Sequence, residues 1–309
     1  MPMSLGSKLA RTLVTAWLVI SIVFFALRLS GDPLTVMLPD DAPPELIEYY
    51  RRAWGLDRSL PEQYLAFWQS LFAGDLGQSF VERRDALAAV LERVPQTLLL
   101  TGVSFVLALT LGLSAGIVAA LRHNRALDRL VMAAAVSSHA LPSFFLAILL
   151  ILLFSVQLRW LPSSGRDGWQ SLVMPALALG TSGAAVIARF TRSSVLDVLA
   201  QPHVLAARAR GYSWPSIILR DVLPNAAIPI VTVIGFMVGG LIGGAVVTET
   251  VFAWPGVGRL LINSVGLRDF AVVQVVVLLI AMTMVAANLT VDLLYGWLDP
   301  RTRRRRRNG

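Results

Sequence analysis

Cysteine is absent from this chain of 309 residues, which excludes disulfides, thiolate metal sites and cysteine nucleophiles. Lysine occurs once, at Lys8, between Ser7 and Leu9. The Gly-Lys-Ser/Thr sequence with which a P-loop holds phosphates therefore cannot be built, and any work driven by ATP falls to another chain. The three histidines, His123, His139 and His203, are too widely spaced for a dedicated metal cage. Charged residues make up only 15%, against roughly 25% in soluble domains. That is too little charge to wet a surface of this size.

What fills the chain instead is apolar. Hydrophobic residues reach 56% and mean hydropathy is +0.67. They come in runs of about 20, the length of helix that crosses a bilayer core of roughly 30 Å. A soluble bundle would show stripes of period 3.6 instead. The runs fall at 9–27, 97–121, 130–156, 172–187, 228–247 and 271–294, the third interrupted by Pro142. The fold class predicted is an all-α integral membrane protein with six transmembrane helices. No A-x-A-like cleavage site follows the first run in Arg28-Leu29-Ser30-Gly31-Asp32-Pro33, so 1–29 reads as an uncleaved first helix. The segment 30–96 is polar, with Asp40, Asp41, Glu45, Glu48, Arg51 and Arg52, and with Trp54, Trp68 and Phe72 as interface anchors. It reads as a small helical region outside the membrane.

Net charge is +8, almost all of it arginine that flanks the apolar runs. A nucleic-acid surface would need a basic stripe interleaved with aromatics, so no nucleic-acid partner is expected. The arginines set topology instead. With the N-terminus inside, sixteen basic residues face the cytoplasm: Lys8, Arg11, Arg122, Arg125, Arg129, Arg189, Arg192, Arg208, Arg210, Arg220, Arg301 and Arg303–Arg307. Only Arg159, Arg166, Arg259 and Arg268 lie in the short outer loops. Both termini are predicted to be cytoplasmic, with 301–309 a basic tail.

The middles of the six runs carry no charge, and proton-driven carriers generally use one there. Asp292, with Asn288 one turn earlier, reads as an interhelical hydrogen bond. His139, near Ser137, Ser138 and Ser143, lacks an acidic partner and reads as packed or pore-lining, not as a general base. The fifth run holds two interleaved small-residue rows, Gly235–Gly239–Gly243 and Gly240–Gly244. They permit close helix approach, either within the chain or to a partner subunit or pathway.

The most informative stretch follows the fourth run. His203-Val204-Leu205-Ala206-Ala207-Arg208-Ala209-Arg210-Gly211 favours a short helix that stops at glycine. Its small side chains and basic flank suit another protein's groove, or equally a helix resting in lipid headgroups. At this point the chain resembles permease subunits of binding-protein-dependent ABC importers, in the dipeptide/oligopeptide/nickel group. Their loop reads Glu-Ala-Ala, three residues, Gly, nine residues, Ile-x-Leu-Pro. Ala206, Ala207, Gly211, Leu223 and Pro224 match it, while Leu205 replaces the glutamate and Asp221 the isoleucine. Gly31-Asp32-Pro33, Trp160-Leu161-Pro162, the segment from Thr248 to Gly256, and Asp292-Leu293-Leu294 with Leu298-Asp299-Pro300-Arg301 extend the likeness over nearly the whole chain. Trp160–Trp169 and the stretch from His203 look nearest to nickel-type permeases.

The resemblance implies type I importer architecture in a bacterial cytoplasmic (inner) membrane, with a five-helix core over 97–300. It makes 193–225 a cytoplasmic coupling loop in which Leu205, Ala206, Ala207, Arg208, Ala209, Arg210, Gly211, Leu223 and Pro224 meet the ATPase. It implies a second homologous permease, two ABC ATPase subunits that bind ATP and Mg, an external solute-binding protein, and no cofactor or catalytic site on this chain. Peptides are the expected solute, with nickel or a metal chelate the alternative. A stand-alone carrier or channel would show intramembrane charges or inverted repeats, and neither is visible.

The arginine asymmetry has a direct test. Reporter fusions after Arg125, Arg210 and Arg307 are expected to report cytoplasm, and those after Pro61 and Arg166 the outside. A periplasmic signal at Arg210 would overturn this topology.

Overall fold

The structure, a computed structural model, describes residues 5–39, 41–239 and 241–298. Gly240, Pro300, Arg301 and Arg303–Arg307 lie outside the described residues, as do the side chains of Lys8, Asn288 and Asp292.

Each expected apolar run becomes helical. Helix α1 (Leu5–Leu29) holds the first, with an apolar stretch of 17 residues, Leu13–Leu29. Helices α2 (Leu34–Met37), α3 (Pro44–Ala53) and α4 (Leu60–Ala73) follow in the polar segment. A two-stranded hairpin comes next, β1 (Gln78–Ser79) against β2 (Arg84–Asp85), antiparallel with Gln78 opposite Asp85. Then come α5 (Ala86–Leu121), α6 (Ala126–Ala140), α7 (Ser143–Leu150) with a π-helical turn at Ile151–Gln157, and α8 (Gln170–Leu199). The chain closes with α9 (Pro202–Ala209), α10 (Trp214–Ile217), a π-helical turn at Ile218–Val222, α11 (Leu223–Gly239), α12 (Leu241–Val251), α13 (Val257–Gly266) and α14 (Phe270–Leu298). Among the described residues, four helices are long and apolar enough to cross a membrane: Ala86–Leu121, Gln170–Leu199, Trp214–Met237 and Phe270–Ala287. The pair α6 and α7, bent by 103°, makes a fifth candidate.

Several boundaries depart from the sequence reading, for one reason: a charge ends an apolar run without ending a helix. Helix α5 begins at Ala86 rather than at 97, because Glu92 is paired with Arg84 at 2.5 Å and so costs little within it. Helix α8 runs past Arg189 and Arg192 to Leu199, so 193–199 is helix and not loop. The span expected from residue 228 already starts at Trp214, with Arg220, Asp221 and Asn225 inside it; Asn225 Nδ2 donates to the Asp221 carbonyl at 2.6 Å. The third run bends where proline dictates. Leu141 is extended (φ −77°, ψ 126°), as a residue before proline prefers, and Pro142 stands at the start of α7.

Chain contacts divide the molecule into two units, Met1–Thr97 with Pro255–Val285, and Leu98–Trp254 with Ala286–Gly309. In the first, Ala86, Val90, Val257, Val272, Val275 and Val276 form the core. Gly31-Asp32-Pro33 acquires a physical meaning there. Arg268 donates to the Asp32 carbonyl and to Thr35 Oγ1, both at 3.0 Å, while Asp32 pairs with Arg51 at 2.6 Å. A Cβ on Gly31 would stand 2.6 Å from Arg268 Nη1, and its φ of +134° is itself glycine territory. Beside it, Asp269 is buried and accepts from Ser79 Oγ at 2.5 Å. Burial pushes its carboxyl above the usual carboxylate range. Outward faces of the spans are apolar, as at Leu13, Trp17 and Ile22 on α1 and at Leu98, Leu99 and Val106 on α5. A face of that kind belongs against lipid.

Gly31→Ala is expected to destabilise the protein by about 1–3 kcal/mol through strain and the clash with Arg268. Thermal unfolding of Gly31→Ala, Arg268→Ala and the double variant measures this. The double should lose less than the sum of the singles, because only one of the two costs disappears with the guanidinium.

Candidate functional site: the loop helix and its supports

Helix α9 starts with Pro202 after an extended Gln201 (φ −76°, ψ 147°), an arrangement in which proline's missing N–H costs nothing. It ends at Ala209, and Gly211 turns the chain at φ +82°. A Cβ on Gly211 would meet nothing within 4 Å, so the glycine is needed for its backbone angle and not for space. Further on, Pro224 lies just past the π-helical turn Ile218–Val222. In a regular α-helix its ring would strike the carbonyl four residues back, and a π-turn relieves that clash.

Val204 and Ala207, one helical turn apart, are buried against Val195 and Val198 of α8 and against Ile217, Ile218, Val222, Ala226 and Ile230. The expectation that Ala206 and Ala207 share an outer groove is therefore corrected for one of them. Ala207 is small because this chain's own core leaves it no room. Leu205, Ala206 and Ala209 form the exposed face, Leu205 being 57% exposed. Arg208 sits 4.8 Å over the Trp214 ring and Arg210 5.4 Å over Tyr212. The two arginines thus fold back on aromatics of the same loop. Leu223 is half-buried and Pro224 exposed at the start of α11.

The support beneath α9 includes an ion pair that the sequence reading counted only as topology. Arg192 donates through Nε to Asp128 Oδ1 at 2.6 Å and through Nη2 to Oδ2 at 2.8 Å. The Asn124 N–H adds 2.9 Å to Oδ2, and His123 Nδ1 lies 3.1 Å from Arg192 Nη2. Asp128 is buried, in the first turn of α6, where a helix N-terminus favours negative charge. One helix, α8, therefore grips the turn after α5 through Arg192 and holds α9 through Val195 and Val198.

The glycine rows behave differently from one another. Gly235 is half-buried, Gly239 ends α11, and Gly240 lies outside the described residues. Around Gly243 an added Cβ would meet nothing within 4 Å, and at Gly244 only Leu179 Cδ1 at 3.8 Å. Close approach occurs instead at Gly112 and Gly116 of α5 and Gly180 of α8. Added Cβ atoms there would stand 2.8 Å from the Ala184 carbonyl, 2.6 Å from that of Ala188 and 2.8 Å from that of Ser104. Gly112-x-x-x-Gly116 carried this signal in sequence and was passed over. Glu249 was also missed: the fifth run was ended at Val247, whereas α12 continues to Val251 and buries Glu249 completely. His139, read as packed or pore-lining, is exposed beside the bend.

The family described as "binding-protein-dependent transport system inner membrane component" matches residues 112–304, and the N-terminal component of the same transport systems matches residues 7–101. The chain belongs to this permease family. It is 43% identical over 297 residues to the glutathione transport system permease protein GsiC of Escherichia coli K12, covering 96% of this chain and 97% of that one. The corresponding protein of Shigella flexneri is 42% identical over the same length. Among solved structures, the inward-facing MetNI methionine ABC transporter matches with a TM-score of 0.56 at 20% identity, over 68% of this chain and 96% of that one. That likeness supports the type I importer fold. The permease is thus a multi-pass inner-membrane subunit and not an enzyme, working with ATPase and solute-binding partners.

Within the permease, Asp128→Ala is expected to cost about 2–3 kcal/mol, since it strips a charged group of its partner. A double-mutant cycle with Arg192→Ala on thermal unfolding should give a coupling of at least about 1 kcal/mol. Additive losses would refute the tie.

Proposed function

We propose that this permease imports small peptides, pairing with a second, homologous permease and receiving the stroke of two cytoplasmic ATPases through α9. Both termini then lie in the cytoplasm and 30–96 faces outward, an orientation that the arginine distribution supports. The supporting observation is the two-sided build of α9. Its inner face, Val204 and Ala207, is locked to α8 and α10–α11, while its outer face offers Leu205, Ala206 and Ala209 to a partner. A push on the outer face moves the bases of two membrane spans together, which is what alternating access needs from a coupling element. Peptide as solute is supported by the 43% identity to a glutathione permease, glutathione being itself a tripeptide.

Because Ala207 serves this chain's own core, the decisive variants lie on the other face. Ala206→Trp and Leu205→Asp should leave insertion and unfolding temperature near wild type. They should abolish co-purification of the ATPase, or leave ATP hydrolysis uncoupled from uptake of a labelled di- or tripeptide. Arg208→Ala/Arg210→Ala should do less, exposed pairs being worth roughly 0–1 kcal/mol. Normal uptake in Ala206→Trp, with loss in the double arginine variant, would mean that α9 rests on lipid headgroups.

A further inference from the structure

Helix α4 packs on the second half of α1, and the contacts between them set its depth. Tyr64, Leu65, Trp68 and Phe72 occupy one side of α4, while Glu62, Gln63, Gln69 and Ser70 occupy the other. Each side meets α1 at a different height. Gln63 Oε1 accepts from Arg28 Nε at 2.5 Å, one residue from the end of α1. The Tyr64 hydroxyl lies 2.7 Å from Ser21 Oγ. Ser21 is the middle residue of the apolar stretch Leu13–Leu29, seven residues deeper than Arg28. Seven residues of helix span about 10 Å. The polar side of α4 therefore points to the end of α1, and its apolar side to the middle. An amphipathic helix lying in a leaflet takes this posture.

Much of the apolar side is uncovered, Phe72 being 84% exposed and Leu65 61%. A row of rings joins that side to α1. Phe25 stacks on Tyr64 at 5.2 Å, Tyr64 meets Trp68 at 6.1 Å, and Trp68 meets Phe72 at 5.8 Å. Phe25 itself belongs, with Leu18, Ile22 and Leu29, to an exposed apolar face of α1. That face belongs against lipid. Water at Leu65 and Phe72 would have to run half-way down it, whereas hydrocarbon is already there.

We propose that α4 is set into the leaflet at the Arg28 end of α1, with Leu65 and Phe72 against acyl chains and Glu62, Gln69 and Ser70 at the headgroups. The segment 30–96 is then not wholly outside the membrane: one of its helices is an anchor in the plane of the bilayer, tied to the first helix by Tyr64 and Gln63. Its partner is bulk lipid, not another subunit. Neither the identity of the solute nor the role of α9 enters this reading.

Because the chain has no cysteine, a single introduced cysteine carries a spin label at one known place. Leu65→Cys, Phe72→Cys, Gln69→Cys and Ser70→Cys, all at exposed positions, are made in the full chain. Each is purified with the subunits that accompany it, labelled, and placed in vesicles of phosphatidylethanolamine and phosphatidylglycerol; the cysteine-free wild type, treated alike, gives the background. Collisions of each label with oxygen, which concentrates in hydrocarbon, are compared with collisions with a water-soluble nickel chelate. Labels at 65 and 72 are expected to show an oxygen-to-nickel ratio severalfold above those at 69 and 70. Should Phe72→Cys lower the unfolding temperature, Leu65→Cys decides alone. Equal ratios at the four sites, or nickel favoured at 65 and 72, would put α4 in water and overturn the proposal. Labels at 65 and 72 that neither reagent reaches would overturn it as well, since a protein surface would then cover the face.

Discussion

In a bilayer, helices gain nothing hydrophobic by leaving lipid for one another, so association rests on close approach and on polar ties. The second unit is organised by that constraint. Helix α5 meets α8 at glycines where a single added carbon would strike a backbone carbonyl, and the seam Gly112–Gly116 against Ala184 and Ala188 leaves nothing between the two main chains. With that contact made, α8 is fixed along its length. Its polar end can then hold Asp128, and its last turns can carry α9. Relaxing the seam would shift the base on which the coupling helix stands.

The first unit solves the same problem with charge. To its apolar core it adds polar ties, in which Arg268 reaches back across more than two hundred residues of sequence to the Asp32 carbonyl, over a glycine that has no side chain to obstruct it. Ser79 and Asp269 close a second long-range link. Both units thus combine apolar packing with a few directional polar ties, the Asp128–Arg192 pair in one and the Arg268 and Asp269 links in the other.

Legibility in the sequence followed the same division. Run length located five of the six expected spans among the described residues, four single helices and the pair bent at Pro142, because hydrocarbon thickness sets that length, while the first run became a helix with only 17 apolar residues. Helix ends were misread wherever a charge had a partner elsewhere in the chain: Glu92 looked like a boundary until Arg84 neutralised it, and Arg192 until Asp128 did. The loop motif marked the right helix but not its faces. Ala206 and Ala207 are adjacent letters, yet about 100° apart on a helix, and only packing tells which one the chain keeps for itself. The glycine pattern was read at Gly239 and Gly243 and overlooked at Gly112 and Gly116, since spacing shows where close approach is possible and not where a second helix supplies it.

The bend between α6 and α7 carries a consequence of another kind. A helix broken at Leu141–Pro142 strands the last carbonyls of one segment and the first amides of the next, and Pro142 has no amide to offer. Bare main-chain dipoles do not survive against hydrocarbon, where each costs several kcal/mol, so water or protein must reach that point inside the third run.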